Sequence, residues 1–352
     1  MTKSRLWAGL DVGAKTTSVC VINCSGEVVH EGVCPSSSKE VRHELTVFRK
    51  DRYAAVSLEA GTGTHLARAL RTFGYPVILY ETRQLAKFLR VRRNKTDAGD
   101  AKGVAEASRI GASVVSKVHV KDLRCQSLQS KLAIRRHLIG QRVATVNLIA
   151  HQIELFGGQL HLNGKTNELR RAVEMEMKNV FKGEPRTLID EMRYLVDHCE
   201  RLRAHEQSFN RDLRALAFES EACRRFMEIP GVGPITALAF YAAVGEPNRF
   251  VRTSRVGSYF GLTPRIHQSG LTSRSGRISR MGNTSVRSLL VQAAISFLQY
   301  CKVECDLRSW ALSIEARRGK GKARVALARK LAIVMLAIWK AGSHYEHNHQ
   351  PA

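Results

Sequence analysis

The sequence predicts an α/β amino-terminal domain built on a mixed sheet, a long helical coiled-coil region, and an all-α carboxy-terminal domain. Three observations carry that prediction. Valine-rich alternating runs separated by glycine turns fill residues 6–80. Apolar residues at alternating four- and three-residue steps run through the middle of the chain. Beyond residue 223 the apolar positions keep a helical period, interrupted by one polar, glycine-punctuated stretch. The expected divisions are residues 1–115, 116–222 and 223–352.

Taken in order, Leu6–Val12, Thr17–Asn23 and Val28–Cys34 read as three hairpin-linked strands, the last two joined by a Ser25-Gly26 turn. A helix near Lys39–Lys50 precedes a strand at Ala54–Leu58, then a helix at Thr64–Phe73 and a strand at Pro76–Tyr80. Three antiparallel strands followed by alternating strands and helices is the order expected of a ribonuclease H-like fold. Asp11 ends the first strand and Glu59 ends the fourth. Function gathers at the carboxyl ends of strands in open α/β sheets. In Asn94-Lys-Thr-Asp-Ala-Gly-Asp100, Asp97 and Asp100 stand three residues apart ahead of an apolar-periodic run, so they share one face of a first helical turn. If the two strands are neighbours, all four acids converge, and one or two Mg²⁺ ions would relieve the repulsion between them. A basic tract precedes the pair, with Arg90, Arg92, Arg93 and Lys95 nearest to it, as metal-assisted phosphate chemistry would require.

Residues 120–220 read as helical. Leu188, Met192, Leu195, Cys199, Leu202, Phe209, Leu213 and Leu216 keep a heptad register that only Glu206 breaks. Leu128, Leu132, Ile139, Val146, Ile149 and Ile153 keep a similar one, interrupted by Arg135 and Arg142. This pattern suits a dimerising arm and an intramolecular hairpin equally. Next comes Ile229-Pro-Gly-Val-Gly233, a turn like that of a helix-hairpin-helix, in which Gly231 and Gly233 would let backbone N–H groups approach a phosphate. The polar stretch 259–283 carries Arg265, Arg274, Arg277 and Arg280. Its serines at 269, 273, 275 and 279 are too many for composition to choose a nucleophile. Helices at Val286–Cys301 and Val325–Lys340 close the core, and Arg317, Arg318, Lys320 and Lys322 fall in an expected basic loop between them, suited to a nucleic-acid backbone.

The charge narrows the function. The 56 Lys and Arg against 31 acids give +25, which implies a polyanionic partner, nucleic acid ahead of a membrane surface. No acid lies between Glu246 and Glu304, whereas eight arginines do, from Arg249 to Arg287. The apolar run Leu331–Trp339 is too short to span a bilayer, and the amino terminus shows no signal-peptide pattern. A soluble intracellular protein is expected. The eight cysteines lack paired zinc-finger spacing and read as reduced, mostly buried thiols.

At this point the chain resembles a known family, the DEDD insertion-sequence transposases described as bridge-RNA-guided recombinases. The matching pieces are Gly9-Leu-Asp-Val-Gly13, Leu58-Glu-Ala60, Asn94-Lys-Thr-Asp-Ala-Gly-Asp-Ala101, Ile229-Pro-Gly-Val-Gly233, Gly261-Leu-Thr-Pro264, Ser269-Gly270 and Arg277-Ile-Ser-Arg-Met-Gly-Asn283. They occur in the family's order, at both ends of the chain. The resemblance implies a RuvC-like domain whose Asp11, Glu59, Asp97 and Asp100 bind Mg²⁺, and a transposase domain whose nucleophile is Ser269. It also implies a phosphoserine intermediate, donor and target duplex DNA, a non-coding bridge RNA, and a homo-oligomer (dimer or tetramer) that supplies tetrad and serine from different copies. Residues 270–276 match no family pattern position by position, which leaves Ser273 and Ser275 as rivals to Ser269. Three other readings compete. A RuvC-like junction nuclease would use water in place of the serine. An actin-like kinase would use Asp11–Thr17 as a phosphate hairpin but lacks a convincing second loop. A non-catalytic nucleic-acid binder would not need the acids.

Overall fold

The computed structural model describes residues 5–91, 96–111, 115–162, 168–181, 183, 186–269, 272–301 and 304–347. They form two compact units, divided between Val120 and Lys121. In the first, strands β1 (Leu6–Val12), β2 (Thr16–Ile22), β3 (Val28–Pro35), β4 (Tyr53–Glu59), β5 (Val77–Tyr80) and β6 (Lys117–Val118) make one sheet. Its order is β3-β2-β1-β4-β5-β6. β1 runs antiparallel to β2 and parallel to β4, so the strands ending in Asp11 and Glu59 are neighbours. Helices α1 (Ser38–Leu45), α2 (Thr64–Thr72), α3 (Thr82–Leu89) and α4 (Asp97–Ile110) flank the sheet. This is the mixed sheet expected, with the short strand β6 added at one edge and α1 ending five residues earlier than the sequence suggested.

Alternation along β1 assigns its faces. Leu6, Ala8 and Leu10 join a cluster with Val41, Leu45, Leu66 and Leu70 from α1 and α2. The opposite face lies under α4, where Trp7, Cys20 and Ile22 meet Ala101 and Ala105. Gly9 makes that approach possible. A Cβ there would stand 2.0 Å from the Ala101 carbonyl oxygen and 2.4 Å from the Ala105 amide nitrogen. Only hydrogen allows helix and strand backbones to come so close.

The second unit contains α5 (Leu123–Leu155), α6 (Leu169–Val180), α7 (Arg186–Glu219), α8 (Glu221–Met227), α9 (Pro234–Val244), α10 (Arg255–Tyr259), strands β7 (Pro264–Ser269) and β8 (Thr272–Ile278), then α11 (Thr284–Tyr300), α12 (Asp306–Arg318) and α13 (Lys320–Ala341). The heptad helices α5 and α7 form an antiparallel hairpin within one chain, and the residues that broke their registers explain the pairing. The Arg142 Nε donates to Glu206 Oε2 at 3.0 Å, and the Arg135 Nε donates to Asn210 Oδ1 at 2.6 Å. Polar layers that complement one another in a single alignment fix register, because any slip leaves them facing apolar side chains. One end of the hairpin is packed by α6 through Ile149, Ile153, Val173, Met192 and Val196. The other enters the carboxy-terminal core through Leu128, Leu213 and Ala217.

Two expectations for the last region change in detail. The serine-rich stretch, expected within an all-α domain, forms the β7–β8 hairpin, a two-stranded ribbon whose Ser269 pairs with Thr272. It lacks the alternating apolar residues that mark a half-buried strand, since its described side chains are almost all exposed. The basic segment expected as a loop is a helix corner. Gly319, at φ 82°, ends α12 and begins α13, so the turn needs a single residue.

Candidate active site

The acids of the first unit gather at one end of the sheet. Leu10 pairs with Leu58, so Asp11 and Glu59 each follow that pair on adjacent parallel strands, on the face opposite the Leu10 side. α4 runs antiparallel to β1. Its last turn reaches the β2–β3 connection, where the Arg109 guanidinium donates to the Cys24 carbonyl at 3.3 Å. Its first turn therefore lies at the Asp11 end, which carries Asp97 and Asp100. Thr96 starts the helix, its hydroxyl accepting the Gly99 N–H at 3.1 Å. Asp97 is exposed, while Asp11, Glu59 and Asp100 are half-buried. Beside them the β1–β2 turn is closed by the Gly13 N–H to the Thr16 carbonyl and tied to the start of α1 by the Ser36 hydroxyl donating to the Gly13 carbonyl at 2.9 Å.

This placement brings the four acids to one end and one face, as far as backbone direction decides it. It does not draw them into a ligand set. Among the described residues, no group of three or more His, Cys, Asp or Glu stands close enough to hold a metal ion. In donor chemistry the acids fit a hard divalent ion such as Mg²⁺, which takes carboxylate oxygens and keeps waters of its own. Arg90 is exposed at the end of α3, whereas Arg92, Arg93 and Lys95 lie outside the described residues.

The second unit presents Ser269 at the end of β7, exposed, with Arg265 and Arg277 exposed along the same ribbon. Arg274 lies in β8 opposite His267. The ribbon is held at its base. Gly261 and Gly282 have φ of 67° and 80°, and a Cβ on either would stand 2.1 Å from a carbonyl oxygen, of Met281 and Tyr259 respectively. Arg287, buried, completes the clasp. Its guanidinium donates to the Phe260 carbonyl at 3.0 Å, the Met281 carbonyl at 3.2 Å and the Thr284 hydroxyl at 3.0 Å. Burial and the neighbouring Arg280 lower its pKa from the usual arginine value. Arg249 is also occupied internally, donating to the Val244 carbonyl and lying over the Phe250 and Tyr259 rings. Two of the eight arginines in the acid-free segment therefore serve the core, while Arg280, at φ 56°, is exposed beside the clasp. Gly231 also has a packing role. A Cβ there would lie 2.5 Å from the Ala293 carbonyl of α11, whereas Gly233 faces open space at the start of α9.

Comparison with known proteins decides the family. A DEDD transposase model matches residues 8–156, and the transposase IS116/IS110/IS902 family model matches residues 223–305. The chain is 30% identical over 333 residues to the transposase for insertion sequence element IS1111A of Coxiella burnetii, covering 94% of this chain and 88% of that one. It belongs to the IS110 family of transposases. A "probable family 20 transposase" of Pseudomonas aeruginosa is 30% identical over 344 residues, 96% of this chain and 97% of its own. The transposase for insertion sequence element IS1328 of Yersinia enterocolitica is 26% identical, covering 82% of this chain and 84% of that one. The transposase is thus an enzyme of the class that cuts and rejoins DNA, and its family uses divalent metal in general. None of its described helices is long and apolar enough to cross a membrane.

Sequence reasoning missed the residues that position the transposase's groups. Thr96 was legible in principle, because a Thr before Asp-Ala-Gly-Asp is an N-cap signal. Arg287 was not, since nothing in the sequence separates a buried guanidinium from one that reaches for phosphate.

Proposed function

We propose that this transposase exchanges DNA strands through a covalent phosphoserine link on Ser269, assisted by Mg²⁺ held by Asp11, Glu59, Asp97 and Asp100. The observation that supports the reading is that β1, β4 and the first turn of α4 bring the four acids to one end and one face of the sheet. When bound, Mg²⁺ would polarise phosphoryl oxygens and lower the pKa of an attacking hydroxyl. Ser269 Oγ attacks the phosphorus of a DNA phosphodiester, forms a P–Oγ bond and releases its proton. The P–O3′ bond breaks, and the departing 3′ oxygen takes up a proton. The 3′-hydroxyl of the partner strand then attacks the same phosphorus, the P–Oγ bond breaks, and the serine regains its proton. Water is not consumed, so strands are exchanged without hydrolysis.

The other residues hold nucleic acid. Arg265, Arg274, Arg277 and Arg280 lie near the serine in sequence, and Arg90, Arg92, Arg93 and Lys95 precede Asp97 in sequence. Gly233 leaves the turn before α9 open to a phosphate, while Gly231 seats that turn on α11. Donor and target duplexes bind as substrates. An element-encoded bridge RNA pairs with both and leaves sequence choice to base pairing. Serine and acids come from different copies of a dimer or tetramer. The arm 116–222 then acts as a division of its own between a catalytic domain, 1–115, and a transposase domain, 223–352, in the prokaryotic cytosol and nucleoid.

The decisive experiment incubates the full chain with element-end DNA and Mg²⁺, then denatures it and looks for protein–DNA adducts. An adduct that disappears in Ser269→Ala and persists in Ser273→Ala and Ser275→Ala is expected. An adduct surviving Ser269→Ala would move the nucleophile. Nicked DNA without any adduct would make water the nucleophile, as in a junction nuclease. Sequencing the nucleic acid that co-purifies tests the guide separately: a discrete RNA mapping beside the gene is expected, and random RNA would remove that part.

A further inference from the structure

Three tryptophans occur in the chain, and two of them are packed. Trp7 lies against the Cys20, Ile22, Ala101 and Ala105 cluster. Trp339 stacks on Tyr241 with ring centroids 4.8 Å apart and meets Phe226 edge-on. Trp310 differs. It is 40% exposed on α12 and has no aromatic partner among the described residues. The open part of its indole is apolar surface facing water, which costs free energy unless something covers it.

Its surroundings indicate what does. α12 buries Ala311 against the core and turns Trp310 outward. The Ser313 hydroxyl donates to the Trp310 carbonyl at 2.8 Å, and the Arg317 Nε donates to the Ser313 carbonyl at 3.2 Å, which marks one helical stripe from Trp310 to Arg317. Two helical turns separate the indole from that guanidinium, about 10 Å along the axis. The stripe runs into the α12–α13 corner, where Arg317, Arg318, Lys320 and Lys322 are all exposed. Two exposed acids, Glu304 and Asp306, precede the indole at the end away from the cations, and between the indole and the corner the one acid is the half-buried Glu315. A flat apolar ring followed by cations fits a base followed by phosphates. It does not fit an intact duplex, whose bases are stacked on one another and closed to an indole face.

We infer that the outer face of α12 binds single-stranded nucleic acid, with Trp310 stacking on an unpaired base and the α12–α13 corner holding the phosphates beside it. The site lies outside the acids and the serine ribbon, and it stands whichever serine does the chemistry.

The test uses the full chain, with oligo(dT), oligo(U) and a blunt duplex of the same length as probes. Oligonucleotide should quench Trp310 emission and protect it from iodide, and both effects should vanish in Trp310→Phe, in which the packed tryptophans remain. Trp310→Ala should weaken single-strand binding about ten-fold, and duplex binding far less. Trp310→Phe should retain much of the affinity. Quenching by oligo(dT), by oligo(U) or by both sustains the site and tells which strand it takes. No quenching by either probe, or equal losses on duplex and single strand in Trp310→Ala, overturns it. Trp7 and Trp339 also emit, so Trp310→Phe assigns the quenching to Trp310, and because it keeps an aromatic ring at that position the answer does not depend on the folding of Trp310→Ala.

Discussion

The acids and the serine are positioned by opposite means. Asp11, Glu59, Asp97 and Asp100 belong to elements locked together by backbone contact, with α4 seated on β1 through Gly9. Their placement is a by-product of the amino-terminal core. Ser269 sits at the end of a two-stranded ribbon whose described side chains are largely exposed, held at its base by Gly261, Gly282 and Arg287. Groups built on a packed sheet and the helix seated on it are held at one place, as preorganisation demands. A group built on an extension anchored at one end keeps freedom of reach.

Four experiments would break or sharpen that contrast. The largest effect is expected from the acids. Asp11→Asn and Glu59→Gln should abolish transposition in an insertion assay while mobility shifts show DNA binding largely kept, and residual transposition would remove the acids from the chemistry. Next come the crossings themselves. Gly9→Val should cost about 3 kcal/mol in denaturant unfolding of the first unit, and Gly261→Ala about 2 kcal/mol in the second, because each new carbon meets backbone that cannot yield. Equal sensitivity of the acids' function to both changes would dissolve the distinction. A smaller effect is expected in the arm. A double-mutant cycle on Arg142 and Glu206, whose side chains are 28% and 17% exposed, should give a coupling of about 1 kcal/mol, and a value near zero would mean the apolar heptads alone set the register. The finest probe leaves stability untouched. Cys24, exposed, should react first with a thiol reagent. Cys125 and Cys223 should resist in the folded protein, since burial pushes their thiols up to about 12 and about 11, with Asp122 adding to the first. Rapid reaction at either would show the second unit opening locally.

The same contrast explains what the sequence could reveal. The mixed sheet followed from short alternating strands and glycine turns, although the pairing of β1 with β4 did not, and its acids could be picked out because strand ends and first helical turns are places that pattern alone identifies. Asp97 and Asp100 do occupy the first turn of α4. The ribbon was not legible as strands, because Pro264–Ser269 and Thr272–Ile278 carry no alternating apolar residues, and pairing with each other leaves no periodic trace. For the same reason residue pattern could not choose among the serines. Arg249 and Arg287 looked like phosphate ligands because charge is visible in a sequence and burial of a charged group is not. The breaks at Arg142 and Glu206 were visible, but that they answer each other became apparent only once the two helices were antiparallel.

That antiparallel arm makes an adjustable ruler. α5 and α7, of 33 and 34 residues, pair with each other along their length, so neither can change length alone without shifting Arg142 away from Glu206. Removing or adding one heptad in both together restores every layer and moves the far tip by about 10 Å. Span would therefore vary among such proteins in whole, matched steps, and a designer wishing to lengthen the reach of this one should cut both helices at the same polar layer.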